Sequence, residues 1–250
     1  MCPRVAVVTT SWDDGDPCDV KLATLLSSKG VRGTFYIPTI GYNGRKTVEP
    51  CDLKRIVALG SEVGAHGLSH HTLPKFKGKE LQREVGIPKA RLEDVLGEKV
   101  QMFSYPKGRF NRRVVRALKQ AGYRGARGTR MFAYDLDFSC FEMPTTLQVY
   151  PHTRSTYIRN IIRGANVGRL VDYLISFKHI GNWVDLGKLL FDRVLRDGGV
   201  WHLVGHSWEI EELGLWNQLS EMLDYVARRK EVLYLTNGEV LSLAERKLER

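Results

Sequence analysis

The segment VAVVTTSWDDG, Val5–Gly15, joins a predicted buried strand to a chemically reactive end. Its apolar residues Val5–Val8 predict a strand, and two carboxylates and a glycine follow where that strand ends. Side chains alternate along an extended backbone, so Asp13 and Asp14 should face different directions and serve different purposes. One is a candidate metal ligand and the other a candidate base. Taken alone, however, an Asp-Asp-Gly sequence more often forms an ordinary turn than a reactive site.

Strand-like and helix-like segments alternate along the chain. The predicted strands are Val5–Thr10, Gly33–Pro38, Ser61–His66, Val100–Pro106, Tyr123–Arg127, Leu147–His152, Val200–Gly205 and Val232–Thr236. The predicted helices are Pro17–Ser28, Cys51–Leu59, Lys79–Leu96, Arg112–Ala121, Ser155–Phe177, Trp183–Arg196 and Glu212–Arg229. This alternation indicates an α/β fold of parallel βαβ units. About seven or eight such units favour a closed barrel, in which the carboxyl ends of the strands converge on one site.

Histidines follow two more of the predicted strands. The segment GAHGLSHH, Gly64–His71, places His66 and His70 four residues apart, a spacing that allows both imidazoles to reach one metal ion. Val200–Ser207 contains another apolar strand, which ends at His206, and histidine suits proton transfer near neutral pH. Each motif alone is also compatible with polar side chains bonded to backbone. Together with the aspartate pair they predict one mononuclear metal site that keeps coordination positions open.

Charge leaves the nature of the binding partner open. The chain of 250 residues has a formal net charge of +10. Basic residues cluster at Lys75, Lys77, Lys79, Arg109, Arg112, Arg113 and Arg116. Such clusters are typical of nucleic-acid or anionic-membrane surfaces, but also of solvated helix faces. A third interpretation is an acidic substrate, such as a phospholipid-linked or nucleotide-linked sugar.

Cysteine spacing and hydropathy bear on the setting of the protein. Cys2, Cys18, Cys51 and Cys140 lack Cys-x-x-Cys spacing, which predicts neither a zinc ribbon nor a disulfide framework and favours a reduced, cytoplasmic setting. No apolar run approaches the 18 or so residues of a membrane span. The N-terminal residues also lack the charged and apolar regions of a secretory signal.

Four motifs, in this order, resemble those of the polysaccharide deacetylases with a NodB-homology domain, carbohydrate esterase family 4. Ser11–Gly15 is similar to the family's Thr-Phe-Asp-Asp-Gly, and Gly60–His70 to its histidine motif. Ser104–Gly108 partly matches Arg-x-Pro-Tyr-Gly, and Leu203–His206 matches Leu-x-x-His. The resemblance covers about Val5–Thr236. It implies a deformed (β/α) barrel of about seven parallel strands, with residues 1–250 forming one catalytic domain.

The resemblance also implies a role for each matching residue. Asp14, His66 and His70 would bind a divalent metal, in the first place Zn²⁺, with Co²⁺, Ni²⁺ and Mn²⁺ as alternatives. Asp13 would be the general base that activates the attacking water. His206 would be the general acid that protonates the departing amine.

Two positions depart from the family pattern. Ser104 stands where the family has an arginine that pairs with the base, and Lys107 stands where it has tyrosine. Arg127, at the end of the next predicted strand, could supply the missing charge to Asp13, with a surface salt bridge as the alternative. The Lys107 backbone N–H would help to hold the oxyanion. Substrate or oxyanion contacts are expected from Tyr105, Pro106, Lys107 and Trp208. Trp12, Tyr105, His152 and Trp208 are candidates for contact with a sugar ring, although aromatic residues near strand ends more often pack in the core or at its rim.

We therefore expect a metal-dependent hydrolase that removes an N-acyl group, in the first place N-acetyl, from an amino sugar or sugar conjugate. A related alternative is hydrolysis of another C–N amide bond, as in an N-formyl sugar or a cyclic ureide. An alternative of a different class is a non-catalytic basic module that binds nucleic acid or anionic surfaces, although nucleic acid is the less expected partner. A homo-oligomer is left open, and the helical segment Tyr157–Arg196 is a candidate cover for the site or a subunit contact.

Overall fold

The computed structural model describes residues 5–41, 44–163, 180 and 182–248. Its strands are β1 Ala6–Asp13, β2 Gly33–Ile37, β3 Glu62–Ala65, β4 Met102–Ser104, β5 Gly125–Arg127, β6 Leu147–Gln148, β7 Gly199–His206 and β8 Val232–Tyr234. Its helices are α1 Asp19–Lys29, α2 Pro50–Ala58, α3 Gly78–Leu96, α4 Arg112–Gln120, α5 Arg154–Arg163, α6 Trp183–Asp197, α7 Ser207–Glu212, α8 Trp216–Val226 and α9 Asn237–Leu248. Short 3₁₀ turns occur at Leu73–Lys75 and Pro106–Gly108.

The strands form a parallel sheet in the order β5-β4-β3-β2-β1-β7-β6, curled into a half-barrel. Strand β7 pairs with β1 along its whole length, from Ala6 to Asp13. The other edge of β1 is therefore shared, with β8 beside its first residues and β2 beside its last. Helices pack side by side around the sheet in the order α6, α8, α1, α2, α3 and α4. The predicted deformed barrel of about seven parallel strands is confirmed.

The segment between β5 and β6 connects the two edges of the half-barrel. Met143 forms a parallel bridge to Arg127, and its N–H donates to the carbonyl of Ala126. Three residues later the Thr146 N–H donates to the His202 carbonyl on β7. The chain thus passes from the edge strand β5 to β7 before β6 begins, and it closes one side of the site.

The residues of β1 alternate between two environments, as the pleat of a strand requires. Val8 and Trp12 pack in the core between sheet and helices. Val7 and the odd-numbered residues beyond it face the interior of the half-barrel, where Val7 joins a second apolar cluster. Trp12 is fully buried and donates its indole N–H to Thr10 Oγ1, so core packing, the favoured interpretation, is confirmed and contact with a sugar ring is excluded.

Polar pairs fill the barrel interior above Val7 and lead up to the site. The Thr9 hydroxyl donates to Asn237 Oδ1 over 2.9 Å. One layer higher, Ser11 Oγ lies 2.7 Å from His202 Nε2. Asp13 is the next inward residue, at the carboxyl end of β1. The alternation of the strand therefore delivers Asp13 to the top of a buried polar column.

Several predicted boundaries differ from the structure. Strand β1 continues to Asp13 because its pairing with β2 and β7 continues that far. The predicted helix Glu212–Arg229 is wrong in its extent, since Gly214 adopts a left-handed φ of 65° and separates α7 from α8. Helix α9 lies beyond the last predicted helix.

The described part of the predicted helix Ser155–Phe177 is α5, and 164–177 lie outside the described residues. Within the segment Tyr157–Arg196, residues 164–179 and 181 lie outside the described residues, and its two ends belong to α5 and α6. Among the described residues, no helix is both long enough and apolar enough to cross a lipid bilayer.

Candidate metal and catalytic site

The carboxyl ends of the strands surround a cavity of about 300 Å³. Nine of the ten predicted site residues line it: Asp13, Asp14, His66, His70, Tyr105, Lys107, Arg127, His206 and Trp208. The tenth, Pro106, is buried in the 3₁₀ turn that follows β4 and is not part of the lining. Residues from six strand ends and loops therefore meet at one place, as expected for a barrel of parallel strands.

Asp14 leaves the strand in a left-handed conformation, with a φ of 78°. This turn directs its carboxylate away from the barrel interior and towards the two histidines. Asp14 Oδ1 lies 3.6 Å from His66 Nε2 and 3.1 Å from His70 Nε2. The two Nε2 atoms are 3.1 Å apart. These three donor atoms form the one cluster, among the described residues, whose spacing suits a metal ion.

The protonation of this cluster fits a divalent cation. His66 Nδ1 lies 2.9 Å from the Ser104 carbonyl, to which it donates, so Nε2 keeps its lone pair towards Asp14. Burial lowers the pKa of His66 against the pull of the neighbouring carboxylates, which favours the neutral, ligating form. Asp14 Oδ1 is buried and accepts no hydrogen bond of good geometry. A carboxylate oxygen beside two imidazole nitrogens is a donor set that suits a divalent metal ion.

The histidine loop is anchored to helix α3. Gly67 follows His66 with a φ of 83°, which turns the chain out of β3. The buried carboxylate of Glu84 then accepts from the Ser69 hydroxyl at 2.7 Å and from the Ser69 N–H at 3.2 Å. This anchor holds the turn that carries His70. The anchor explains how His70, a loop residue with a strained φ of 54°, keeps a defined position.

Asp13 faces the opposite side of the cavity, where Arg127 forms an ion pair with its Oδ1. Arg127 is fully buried, and its second nitrogen donates to the Gly128 carbonyl at 3.1 Å. The Ser104 hydroxyl approaches Asp13 Oδ2 at 3.5 Å. Burial alone would raise the pKa of Asp13, but the Arg127 guanidinium and the nearby histidines hold it below its ordinary value. The carboxylate is therefore ionised in its buried position.

Burial would also raise the pKa of Asp14, and contacts with His70, His66 and His206 lower it well below the ordinary range. The neighbours differ between the two adjacent carboxylates. Asp13 has a guanidinium, whereas Asp14 has imidazoles and an indole.

His206 is oriented by Glu209, which the sequence analysis did not identify. Glu209 Oε2 accepts from His206 Nδ1 at 2.6 Å, and His206 Nε2 points back towards Asp14 Oδ2 at 3.9 Å. Burial opposes protonation of the imidazole, but the Glu209 carboxylate together with Asp13 and Asp14 outweighs it, so the pKa of His206 is raised. The spacing carried a usable signal: His206 is the N-cap of α7 and Glu209 its third residue, where an acidic side chain reaches back to the cap.

The remaining predicted contacts form the wall of the cavity. The Trp208 indole N–H donates to Asp14 Oδ2 at 3.0 Å, so this residue touches the cluster directly. Tyr105 is almost fully buried and donates its hydroxyl to the Phe141 carbonyl at 3.0 Å, which leaves only its ring to border the cavity. Lys107 has a left-handed φ of 58° in the turn after β4, and its side chain is exposed.

Comparison with known proteins agrees with this architecture. The sequence profile of the polysaccharide deacetylase family matches residues 2–126. YxkH of Bacillus subtilis (strain 168), which carries a provisional polysaccharide deacetylase name, is 24% identical over 124 residues. That alignment covers 48% of this chain and 44% of YxkH, so the chain spans less than half of the curated relative.

Two solved structures show the same fold at low sequence identity. A provisionally named polysaccharide deacetylase from Mycobacterium smegmatis has a TM-score of 0.70 at 16% identity, over 99% of this chain and 93% of that one. A family 4 carbohydrate esterase from Bacillus anthracis has a TM-score of 0.58 at 16% identity, over 95% of this chain and 83% of that one. At this identity the likeness concerns the fold, and function has to be argued from the site.

Proposed function

Since the chain belongs to the polysaccharide deacetylase family, we propose that it is a metal-dependent hydrolase that removes an N-acyl group from an amino sugar or sugar conjugate. Members of this family hydrolyse C–N amide bonds. The observation that carries the proposal is the union, in one cavity, of the Asp14, His66 and His70 cluster with an ionised Asp13 and a histidine acid. Residues 1–250 would act as one catalytic domain, and N-acetyl is the acyl group we place first.

Asp14, His66 and His70 would hold the cation through one carboxylate oxygen and two Nε2 atoms. Zn²⁺ is the ion we propose first, with Co²⁺, Ni²⁺ and Mn²⁺ as alternatives, because a carboxylate and two imidazoles suit all four. When bound, such an ion lowers the pKa of a water molecule and polarises the acyl oxygen.

Asp13 would accept the proton of the attacking water. Its ion pair with Arg127 keeps the carboxylate ionised and fixes Oδ1, which leaves Oδ2 towards the cavity. The same pair separates Asp13 from the metal cluster, although Asp14 is its neighbour in sequence. Arg127 therefore takes the place that the family gives to an arginine at the position of Ser104.

His206 would protonate the departing amine from Nε2. Glu209 accepts a hydrogen bond from the Nδ1–H and so fixes the tautomer and the orientation of the ring. Carboxylates orient catalytic histidines in this way. The Lys107 backbone N–H would donate to the oxyanion from the turn after β4. Tyr105, Pro106 and Trp208 would shape the wall against which the sugar packs.

The alternatives differ in their products and in their response to metal removal. Hydrolysis of an N-formyl sugar or a cyclic ureide uses the same site, and only the released acid and amine tell these substrates apart. A non-catalytic basic module has no use for five polar side chains that meet in one cavity, so their convergence disfavours this alternative. The five are Asp13, Asp14, His66, His70 and His206. A cytoplasmic setting and the possible homo-oligomer stay predictions. Cys18, Cys51 and Cys140 are free thiols in the described residues.

The test is an activity screen on metal-free and reconstituted protein. N-acetyl and N-formyl amino sugars and cyclic ureides are incubated with apoprotein, then with one equivalent of each divalent ion, and free amine and acid are quantified. We expect amine release that requires metal and is lost in Asp14→Ala. If the wild-type protein instead lacks stoichiometric metal and binds nucleic acid tightly and in a salt-sensitive way, the result supports the binding module.

A further inference from the structure

A second cavity, of about 630 Å³, adjoins the candidate active site. Its lining consists of Thr72, Pro74, Lys75, Lys107, Gly108, Arg109 and Phe110, and we call it the basic groove. Lys107 lines both this groove and the catalytic cavity, so the two spaces meet at that residue. A ligand bound in the catalytic cavity can therefore extend into the groove past the turn that would hold the oxyanion.

The groove carries uncompensated positive charge. Lys75, Lys107 and Arg109 are exposed, none forms an ion pair within the described part of the chain, and no acidic residue lines the groove. Some basic side chains elsewhere on the surface are paired, as Arg32 is with Glu239 at 2.6 Å, whereas these three lie together without an acidic neighbour in the lining. Helix α4 also begins just beyond the groove, without an acidic residue in its first turn, and its positive end adds to the field.

The groove is a built feature rather than a chance gathering of mobile side chains. Arg113 donates to the Pro74 carbonyl at 3.0 Å and so ties the loop on one side to α4. Phe110 stacks on Tyr105 with ring centroids 4.4 Å apart, which fixes the other side to the wall of the catalytic cavity. Gly108 has a φ of 65°, and a Cβ there would collide with Thr129. The backbone that presents the cations is thus held in place.

We propose that the basic groove binds a phosphate ester carried by the amino sugar that is deacylated, so that the substrate is a phosphorylated sugar conjugate rather than a neutral glycan. This inference rests on the proposed function, because it places the acyl group in the catalytic cavity. Three cations around one space favour the several anionic oxygens of a phosphate monoester, diester or diphosphate over a single carboxylate. Nucleotide-linked and lipid-linked sugars both supply such a group.

The test compares matched neutral and phosphorylated substrates on the reconstituted enzyme. The substrates are N-acetylglucosamine, its 1-phosphate, a nucleoside diphosphate conjugate and a prenyl phosphate conjugate in detergent. We expect the best phosphorylated substrate to exceed the neutral sugar at least tenfold in kcat/KM. The advantage should shrink between 50 and 300 mM NaCl, because exposed charges are screened. Which conjugate is best identifies the source of the phosphate.

The double variant Lys75→Gln with Arg109→Gln should abolish this advantage and leave hydrolysis of the neutral sugar unchanged. The control Lys54→Gln with Arg55→Gln removes the same charge from exposed positions on α2 and should change neither rate. Two results would overturn phosphate binding by the groove: equal hydrolysis of the neutral sugar and its phosphate, or a double variant that behaves as the wild type. Either result would leave the proposed hydrolase function unaffected.

Binding separates failure of the groove from failure of the proposed function. Titration calorimetry with N-acetylglucosamine 1-phosphate needs no turnover. If no amide is hydrolysed, binding that is lost in the Lys75 and Arg109 double variant, but kept in the control variant, still supports the groove. Absence of phosphate-dependent binding in the wild type overturns it.

Discussion

The two sides of the catalytic cavity are built on different principles. On the metal side, Asp14, His66 and His70 converge without a cation among them, and a buried carboxylate oxygen lacks a hydrogen bond. On the proton side, each group already has a charged partner: Asp13 has Arg127, and His206 has Glu209. The donor atoms of the metal side suit a divalent cation. The proton side is complete, and its partners set which groups are ionised.

The largest effect is expected on the metal side. His66→Ala and His70→Ala should each lose stoichiometric zinc and reduce kcat/KM by about 10³-fold or more, because a metal ion supplies several kcal/mol of transition-state stabilisation. Metal content is measured by elemental analysis and rates by amine release. His71→Ala is the matched control, since this exposed imidazole forms hydrogen bonds with Ser69 and lies outside the metal cluster. Full metal content in His66→Ala would remove the basis for the metal side.

Arg127→Met tests the first pair of the proton side and should lower kcat/KM by about 10² to 10³-fold. Without the guanidinium, burial dominates and the pKa of Asp13 rises. The base works when ionised, so the acidic limb of the kcat/KM profile should move to higher pH. Removing one partner of a buried pair also destabilises a fold by about 3–5 kcal/mol, so circular dichroism and thermal unfolding accompany the rates.

The exchange Ser104→Arg with Arg127→Ser keeps the charge and moves it to the neighbouring strand, which pairs with β5 at these residues. We expect it to restore part of the activity and return the acidic limb towards its wild-type position. A well-folded Arg127→Met enzyme with an unchanged pH profile would contradict the role we give to Arg127.

Glu209→Gln tests the second pair and should cost about 10 to 100-fold, the usual effect of removing the carboxylate behind a functional histidine. Loss of Glu209 lowers the pKa of His206. The acid is active below that pKa, so the alkaline limb should move to lower pH. Glu211→Gln on the same helix is the control, because Glu211 pairs at the surface with Lys21. An alkaline limb that moves equally in both variants would point to a general charge effect.

The smallest effect on activity is expected at Trp208, which contacts Asp14 on the metal side of the cavity. Trp208→Phe keeps the ring but removes the N–H that reaches Asp14 Oδ2 at 3.0 Å. We expect zinc affinity to fall about tenfold, with kcat nearly unchanged at saturating zinc, because the bond orients a ligand without entering the reaction. Competition with a chelator measures the affinity. A large loss of kcat at saturating zinc would place Trp208 in contact with the reacting atoms.

Much of the fold and of the cavity lining was predictable because it depends on local pattern. Apolar runs alternating with helical periodicity indicated parallel strands, and a barrel of parallel strands brings their ends together. Asp13, Asp14, His66, His70 and His206 directly end such runs. Trp12 also lies near a strand end, but its place in the alternation turns its side chain into the helix-covered core.

The sequence by itself therefore determined which reactive groups lie at the strand ends and how adjacent aspartates diverge, since both follow from the alternation of neighbouring residues. Only the tertiary structure decided which groups meet. Arg127 reaches Asp13 across 114 positions of the chain, and the basic groove joins Lys75 to Arg109 from different loops. Charge pairing depends on distance in space and on burial, and these are set by packing of the whole chain rather than by any short segment.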